Sequence, residues 1–102
     1  MSEFVKLTDA VEVAEGELMA FDVGGVRIAV ANVDGAFHAF GDTCTHLQCS
    51  LADGDLQDLV VTCACHGSQF DVTSGEVLRG PAEEPVRSLA VDIQGPILVV
   101  RS

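Results

Sequence analysis

The sequence predicts an all-β protein. Short runs of β-branched and aromatic residues alternate with Gly and Asp turns at intervals of roughly eight to twelve residues, and no sustained helical period of apolar residues appears. Antiparallel sheets arranged as a sandwich or a barrel are therefore expected, because closing a sheet protects its edges. At 102 residues the chain suits a single domain over 1–102.

Two tight turns define a predicted three-stranded meander. Strands over 17–23 and 26–32 flank Gly24-Gly25, and the next strand, over 36–40, follows Asp34-Gly35. Both pairs favour the tight turns of β-hairpins. Later strands are predicted at 59–62, 69–72, 76–78, 86–92 and 97–101, with a turn at Thr73-Ser74-Gly75.

Two stretches break the strand pattern. Residues 41–50 and 63–68 contain all four cysteines and two of the three histidines. Because loops held on a rigid sheet often carry functional groups, we expect a binding subdomain made of these two loops, the second reaching to about residue 70. Residues 79–85 carry two of the three prolines and predict a stiff third loop.

The charge balance excludes some partners. Five basic residues stand against 16 acidic ones, so a net charge of −11 would repel nucleic acid and anionic membranes. The same charge would steer the protein toward a basic docking surface on another protein. Alternatively, the acidic residues only keep a small protein soluble. Charge alone does not decide between solubility and docking to a basic partner.

A cytoplasmic location is the expectation for this chain. Residues 1–13 show no basic leader followed by an apolar stretch, and no run approaches the roughly 18 apolar residues of a membrane span. In the cytoplasm, cysteines more often bind metals or act in catalysis than form disulfides.

Each of the first two loops pairs a thiol with an imidazole. Cys44 and His46 are two residues apart, and Cys63 and His66 are three apart. Zinc accepts two Cys and two His, although zinc fingers usually pair Cys with Cys and His with His. In one class of [2Fe–2S] centre, two imidazoles replace two thiolates on one iron, which matches this set of ligands.

At these motifs the sequence resembles the Rieske family, through Cys44-Thr45-His46-Leu47-Gln48-Cys49 and Cys63-Ala64-Cys65-His66-Gly67-Ser68. The resemblance extends to the strand-rich remainder of the chain. It implies one [2Fe–2S] cluster on antiparallel sheets, with Cys44 and Cys63 on one iron and His46 and His66 on the other.

The resemblance also implies roles around the cluster. A disulfide would join Cys49 to Cys65, with two free buried thiols as the alternative. Ser68 would donate a hydrogen bond to a cluster sulfide, unless it only caps a turn, and Phe70 replaces a Tyr donor of respiratory members. Gly80-Pro81 resembles the proline loop that covers the cluster.

The function implied by the resemblance is one-electron transfer without catalysis by this chain alone. A small acidic member would be a cytoplasmic monomer that takes electrons from an NAD(P)H-dependent flavoprotein reductase and delivers them to a terminal oxygenase, as dioxygenase ferredoxins do. Two alternatives stay open: a permanent electron-transfer subunit of an oxidoreductase complex, and a zinc-stabilised interaction module.

Overall fold

In the computed structural model, which describes residues 5–23, 25–45, 49–65 and 67–101, ten strands form two antiparallel sheets. The larger sheet has the order β1-β10-β9-β4-β3-β2, and contacts between β1 and β2 nearly close it into a barrel. The smaller sheet has the order β5-β6-β7-β8. The strands are β1 Val5–Asp9, β2 Leu18–Val23, β3 Val26–Val33, β4 Ala36–Gly41, β5 Asp55–Gln57, β6 Val60–Thr62, β7 Gln69–Asp71, β8 Val77–Arg79, β9 Ser88–Gln94 and β10 Ile97–Arg101.

The predicted all-β class is confirmed, and so is the meander. Strands β2, β3 and β4 pair in sequence, and the β3–β4 turn at Asp34-Gly35 places both residues at positive φ (54° and 86°), as a tight hairpin turn requires. Of the turn between β2 and β3, Gly24 lies outside the described residues, and Gly25 has φ 85°.

Two strands were not predicted from the sequence. They are Val5–Asp9 and Asp55–Gln57, which form β1 and β5. Strand β5 has only three residues, which are too few to show the alternation of polar and apolar side chains that indicates a strand. The predicted strand over 86–92 was placed too early, because β9 begins at Ser88.

Strand β3 separates two hydrophobic cores. Its side chains alternate between faces, as in any strand. Ile28 and Val30 belong to the core formed with the other barrel strands, whereas Ala29 and Ala31 belong to the core shared with the smaller sheet. All four residues are buried. The small alanine side chains let the smaller sheet, which carries the loop at residues 63–68, pack closely against the barrel.

The described helices are two three-residue 3-10 turns, Ala10–Glu12 and Leu51–Asp53. Among all the residues that the structure describes, no helix has the length and hydrophobicity needed to span a membrane. The second 3-10 turn directly follows the first loop, and Leu51 at its start is fully buried in the core shared with the smaller sheet. It therefore anchors the C-terminal end of that loop.

The predicted turn at residues 73–75 joins β7 to β8. Asp71 Oδ1 accepts hydrogen bonds from the Thr73 hydroxyl (2.5 Å) and from the Thr73 N–H (2.8 Å), and these bonds hold the pKa of the Asp71 carboxyl below its usual range. The charge of His38 has a smaller effect in the same direction. Gly75 has φ 82°, and a Cβ there would lie 2.0 Å from the Val86 carbonyl oxygen, so the turn requires glycine.

Candidate metal centre

Backbone hydrogen bonds close the first loop, residues 41–50, at its base. The Cys44 N–H donates to the Cys49 carbonyl at 2.8 Å, and Thr43 and Ser50 form an antiparallel bridge. One step further out, the Leu51 N–H donates to the Asp42 carbonyl at 2.7 Å. The loop is thus a closed hairpin-like segment that begins where β4 ends.

The second loop, residues 63–68, is a tight connection between β6 and β7. The Cys63 N–H donates to the Ser68 carbonyl at 2.8 Å, and the Gly67 N–H donates to the Cys63 carbonyl at 3.1 Å. Gly67 has φ 79°, a left-handed conformation that glycine adopts without steric cost. Cys63 is therefore held at the end of β6 by its own loop.

The structure brings a cysteine from each loop into one buried cluster. Cys44 and Cys63 are only 1% and 3% exposed, and both belong to the core shared with the smaller sheet, together with Val61 and Phe70. A thiolate in such apolar surroundings is unfavourable unless a cation or a metal compensates its charge. Two buried thiols from two loops therefore fit a metal centre.

A disulfide connects the two loops. Cys49 in the first loop is bonded to Cys65 in the second, with 6.5 Å between their Cα atoms. The sulfur atoms of Cys49, Cys63 and Cys65 all lie within 4.8 Å of one another. Because the thiolate is the metal-binding form of cysteine, the bonded pair are not ligands. The disulfide instead holds the first loop against Cys63.

The two predicted imidazole ligands, His46 and His66, lie outside the described residues. Their neighbours along the chain are described. Cys44 and Thr45 precede His46, and Cys65 and Gly67 flank His66. With one buried thiol and one nearby histidine in each loop, the donor set fits a [2Fe–2S] centre that has two sulfur and two nitrogen ligands.

The third loop, residues 79–85, is tied to both other loops by side-chain hydroxyls. The buried Ser68 Oγ accepts a hydrogen bond from the Ala82 N–H at 3.0 Å, and the Thr45 hydroxyl donates to the Glu84 carbonyl at 2.6 Å. The Gly80–Pro81 peptide bond is cis. Since the Ser68 hydroxyl accepts here, its own hydrogen is still available for a second bond.

We expect Thr45→Val to loosen the third loop. Valine keeps the shape of threonine but removes the donor to the Glu84 carbonyl, and a net hydrogen bond contributes about 1 kcal/mol. Amide hydrogen exchange over residues 82–84 should become faster by roughly three- to tenfold. Thr8→Val, in the barrel strand β1, is the matched control and should leave exchange in this loop unchanged. Unchanged exchange in the Thr45→Val protein would show that the hydroxyl does not restrain the loop.

Phe70 is fully buried in β7, within the core that contains Cys44 and Cys63. It brings an aromatic ring without a hydroxyl to that core. The donor that a tyrosine would supply is therefore absent at this position, as the sequence indicated.

Two residues that shape the centre, Asp42 and Gly54, were not predicted from the sequence. Asp42 is 1% exposed, and its carboxylate accepts hydrogen bonds from the Ser50 hydroxyl and the Ala52 N–H. A Cβ at Gly54 would lie 1.9 Å from the carbonyl oxygen of Thr62, the residue before Cys63. Both positions depend on contacts between segments, although an Asp at the start of a cysteine loop is a signal that could have been noticed.

Comparison with known proteins identifies the centre. The Rieske [2Fe–2S] domain family matches residues 3–90. The ferredoxin component of biphenyl 2,3-dioxygenase from Rhodococcus jostii (strain RHA1) is 37% identical over 95 residues, which cover 93% of this chain and 89% of that protein.

Solved structures agree with this assignment. The Sphingomonas yanoikuyae B1 ferredoxin superposes with a TM-score of 0.92 at 27% identity, covering 98% of this chain and 99% of that one. A chain in the complex of reduced oxygenase and oxidised ferredoxin of carbazole 1,9a-dioxygenase has a TM-score of 0.88 at 31% identity, covering 95% and 91%. The centre is thus an iron–sulfur site rather than a zinc site, and the chain belongs to the Rieske [2Fe–2S] domain family, whose members carry one such cluster.

Proposed function

We propose that this chain is the ferredoxin component of a bacterial aromatic-ring dioxygenase system, carrying single electrons from a flavoprotein reductase to a terminal oxygenase. The observation that carries the proposal is the similarity to dioxygenase ferredoxins along nearly the full length of both chains.

In this proposal Cys44 and Cys63 bind one iron, and His46 and His66 bind the other. A bound cluster supplies a centre that accepts and releases one electron. The chain buries both thiols, closes each loop by backbone hydrogen bonds and ties the third loop to Ser68 of the second. With every ligand position taken by the protein, no site is left for a substrate, so the chain acts as a carrier and not as a catalyst.

Charge supports a transient encounter with larger partners. Glu83 and Glu84 are exposed on the third loop, which Thr45 ties to the first loop. The net charge of −11 adds a long-range attraction to a basic surface, which raises association rates at low ionic strength. We therefore infer basic docking surfaces on both the NAD(P)H-dependent reductase and the oxygenase, and a monomeric carrier in the cytoplasm between them.

A permanent subunit of an oxidoreductase complex is the second candidate, since the disulfide and Ser68 are features of respiratory members. Such a subunit would be expected to expose a large apolar patch. Among the described residues, the exposed large hydrophobic side chains lie on five different segments: Val11, Val26, Leu59, Leu78 and Ile93. The similarity to dioxygenase ferredoxins along nearly the full length of both chains favours the free carrier.

We expect Phe70→Tyr to raise the reduction potential. The added hydroxyl can donate a hydrogen bond toward a ligand sulfur, which stabilises the more negative reduced state. One net hydrogen bond of about 1 kcal/mol corresponds to roughly 40 mV in a one-electron couple. Phe37→Tyr adds the same hydroxyl at a half-buried barrel position and should leave the potential at the wild-type value. Protein-film voltammetry measures both; equal potentials for Phe70→Tyr and wild type would contradict the argument.

Reconstitution tests the proposed function. Purified protein is mixed with NADH and the reductase of a biphenyl or p-cumate dioxygenase system, and bleaching of the cluster absorbance is followed; the matching terminal oxygenase is then added under anaerobic conditions. We expect rapid reduction followed by reoxidation, with a second-order rate that falls about tenfold or more between low and high salt. Failure to accept electrons, or isolation in a stable stoichiometric complex, would refute the free carrier.

A further inference from the structure

Asp42 is a buried carboxylate at the base of the first loop that electron transfer itself does not require. Its side chain is 1% exposed. Oδ2 accepts a hydrogen bond from the Ser50 hydroxyl at 2.6 Å, and Oδ1 accepts one from the Ala52 N–H at 2.9 Å. Arg27 Nη2 lies 3.4 Å from Oδ2, on a half-exposed side chain. The Ser50 hydroxyl and the Ala52 N–H are therefore the main hydrogen-bond partners of the carboxylate.

These contacts join the two ends of the first loop. Asp42 precedes Cys44 by two residues, whereas Ser50 and Ala52 lie just beyond Cys49. The Asp42 carbonyl also accepts a hydrogen bond from the Leu51 N–H. The backbone and the side chain of Asp42 therefore both bind residues 50–52, where the loop ends. Through Arg27 the same carboxylate contacts β3, and the Asp42 N–H donates to the Arg27 carbonyl.

A buried carboxylate is unfavourable unless hydrogen bonds or opposite charges compensate it. An apolar residue at this place would cost less desolvation, but it could not bind a hydroxyl and an amide at fixed distances and angles. Charge-assisted hydrogen bonds are shorter and stronger than neutral ones, so the carboxylate defines the geometry of the loop base more tightly than packing would.

We propose that Asp42 is a positioning residue of the cluster: its carboxylate locks residues 50–52 onto the start of the first loop and so fixes Cys44 against the iron it binds. The proposal rests on the proposed ligand role of Cys44. Cys44 is held by one backbone bond to Cys49, inside the segment that Asp42 closes. Loosening the base therefore lets the thiolate and the loop that covers it move together.

Three variants separate this role from general stability. Asp42→Asn keeps the shape and removes the charge, and Ser50→Ala removes one donor while keeping the carboxylate. Ser50→Thr keeps a hydroxyl and should restore wild-type behaviour. Val30→Ala is the control, because Val30 is fully buried in the barrel core and its truncation destabilises the fold without contacting the loop.

The measurements are the rate at which the cluster absorbance is lost to an iron chelator, the EPR line width of the reduced protein, and the exchange rates of the Cys44 and Leu51 amides. We expect the Asp42→Asn protein to lose the cluster about tenfold faster than the wild type, and the Ser50→Ala protein about threefold faster. Asp42→Asn has the larger effect because it removes the charge, and hydrogen bonds to a charged group are stronger than neutral ones. Both should broaden the EPR signal and speed exchange at the two amides. Val30→Ala should lower the unfolding temperature and leave these three readouts unchanged.

Wild-type rates in both Asp42→Asn and Ser50→Ala would overturn the positioning role, as would equal effects in Val30→Ala. If Asp42→Asn does not fold, the Ser50 pair still decides the question, since Ser50→Ala leaves the buried charge in place. A wild-type protein that carries no [2Fe–2S] signal would overturn the proposed ligand set as well. A wild-type protein with a normal cluster and unaffected variants would refute only the role of Asp42.

Discussion

Replacing Cys44 with serine should remove the [2Fe–2S] cluster from this protein. The Cys44 thiol is buried in the core that also contains Cys63, and the other two cysteines are bonded to each other, so no further free thiol can replace it as a ligand. A serine hydroxyl has a far higher pKa than a thiol and is a poor ligand for iron in this setting. We expect Cys44→Ser protein to lack essentially all visible absorbance and EPR signal, and Cys63→Ser to behave in the same way.

The matched control is the other cysteine pair. Cys49 and Cys65 are joined to each other and so do not supply ligands. The double variant Cys49→Ser/Cys65→Ser should keep a stoichiometric cluster when purified at low temperature. Iron and acid-labile sulfide analysis, normalised to protein, measures both variants. Full cluster content in Cys44→Ser, or none in the double variant, would show that the ligands are assigned to the wrong cysteines.

The same double variant should be much less stable than the wild type. The disulfide closes a segment that spans 16 positions, and the chain-entropy treatment assigns about 3 kcal/mol to a loop of this size. For a protein of this length that corresponds to a fall of roughly 10 to 20 °C in the temperature at which the cluster bleaches and the fold unfolds. The disulfide also holds the first loop against Cys63, so bleaching should occur before loss of the far-UV CD signal.

To check this expectation, the protein is heated while the visible absorbance of the cluster and the far-UV CD signal of the backbone are followed. Val30→Ala supplies the comparison, since it destabilises the barrel core and leaves the disulfide in place. In that protein both signals should still change together. A double variant that bleaches at the wild-type temperature would mean that the loops are held by their hydrogen bonds and packing alone.

Much of the fold was predictable because its signals are local. Asp34-Gly35 marks a tight turn by residue type alone, and the flanking strands then pair in the only register that such a turn allows. Strand β10 was predicted with its observed bounds, Ile97–Arg101, and in the structure it follows a turn at Gly95-Pro96. The strand β1 was missed because its pairing with β10 joins the two ends of the chain, and sequence patterns carry little information about such contacts.

In the candidate centre, too, some features could be predicted from local sequence and others depend on contacts made only in the folded chain. Cysteine and histidine are possible ligands by their chemistry, and the resemblance to the Rieske family then singled out Cys44, His46, Cys63 and His66 among them. Asp42 and Gly54 could not, because their roles come from Ser50 and Thr62, which reach them only in the folded chain. Ser68 was expected to donate to a sulfide, and the structure adds a bond that it accepts from Ala82, which no sequence pattern indicates. That residues 1–102 form one domain stays a prediction.

Two cysteines and two histidines, Cys44, Cys63, His46 and His66, are proposed to hold the cluster. Pulsed EPR on the reduced protein, grown with nitrogen-15 histidine, tests this proposal most directly. We predict strong couplings to two histidine nitrogens, with one lost in His46→Cys and the other lost in His66→Cys. A reduced [2Fe–2S] signal with no histidine coupling, or a colourless protein that contains zinc, would contradict the account.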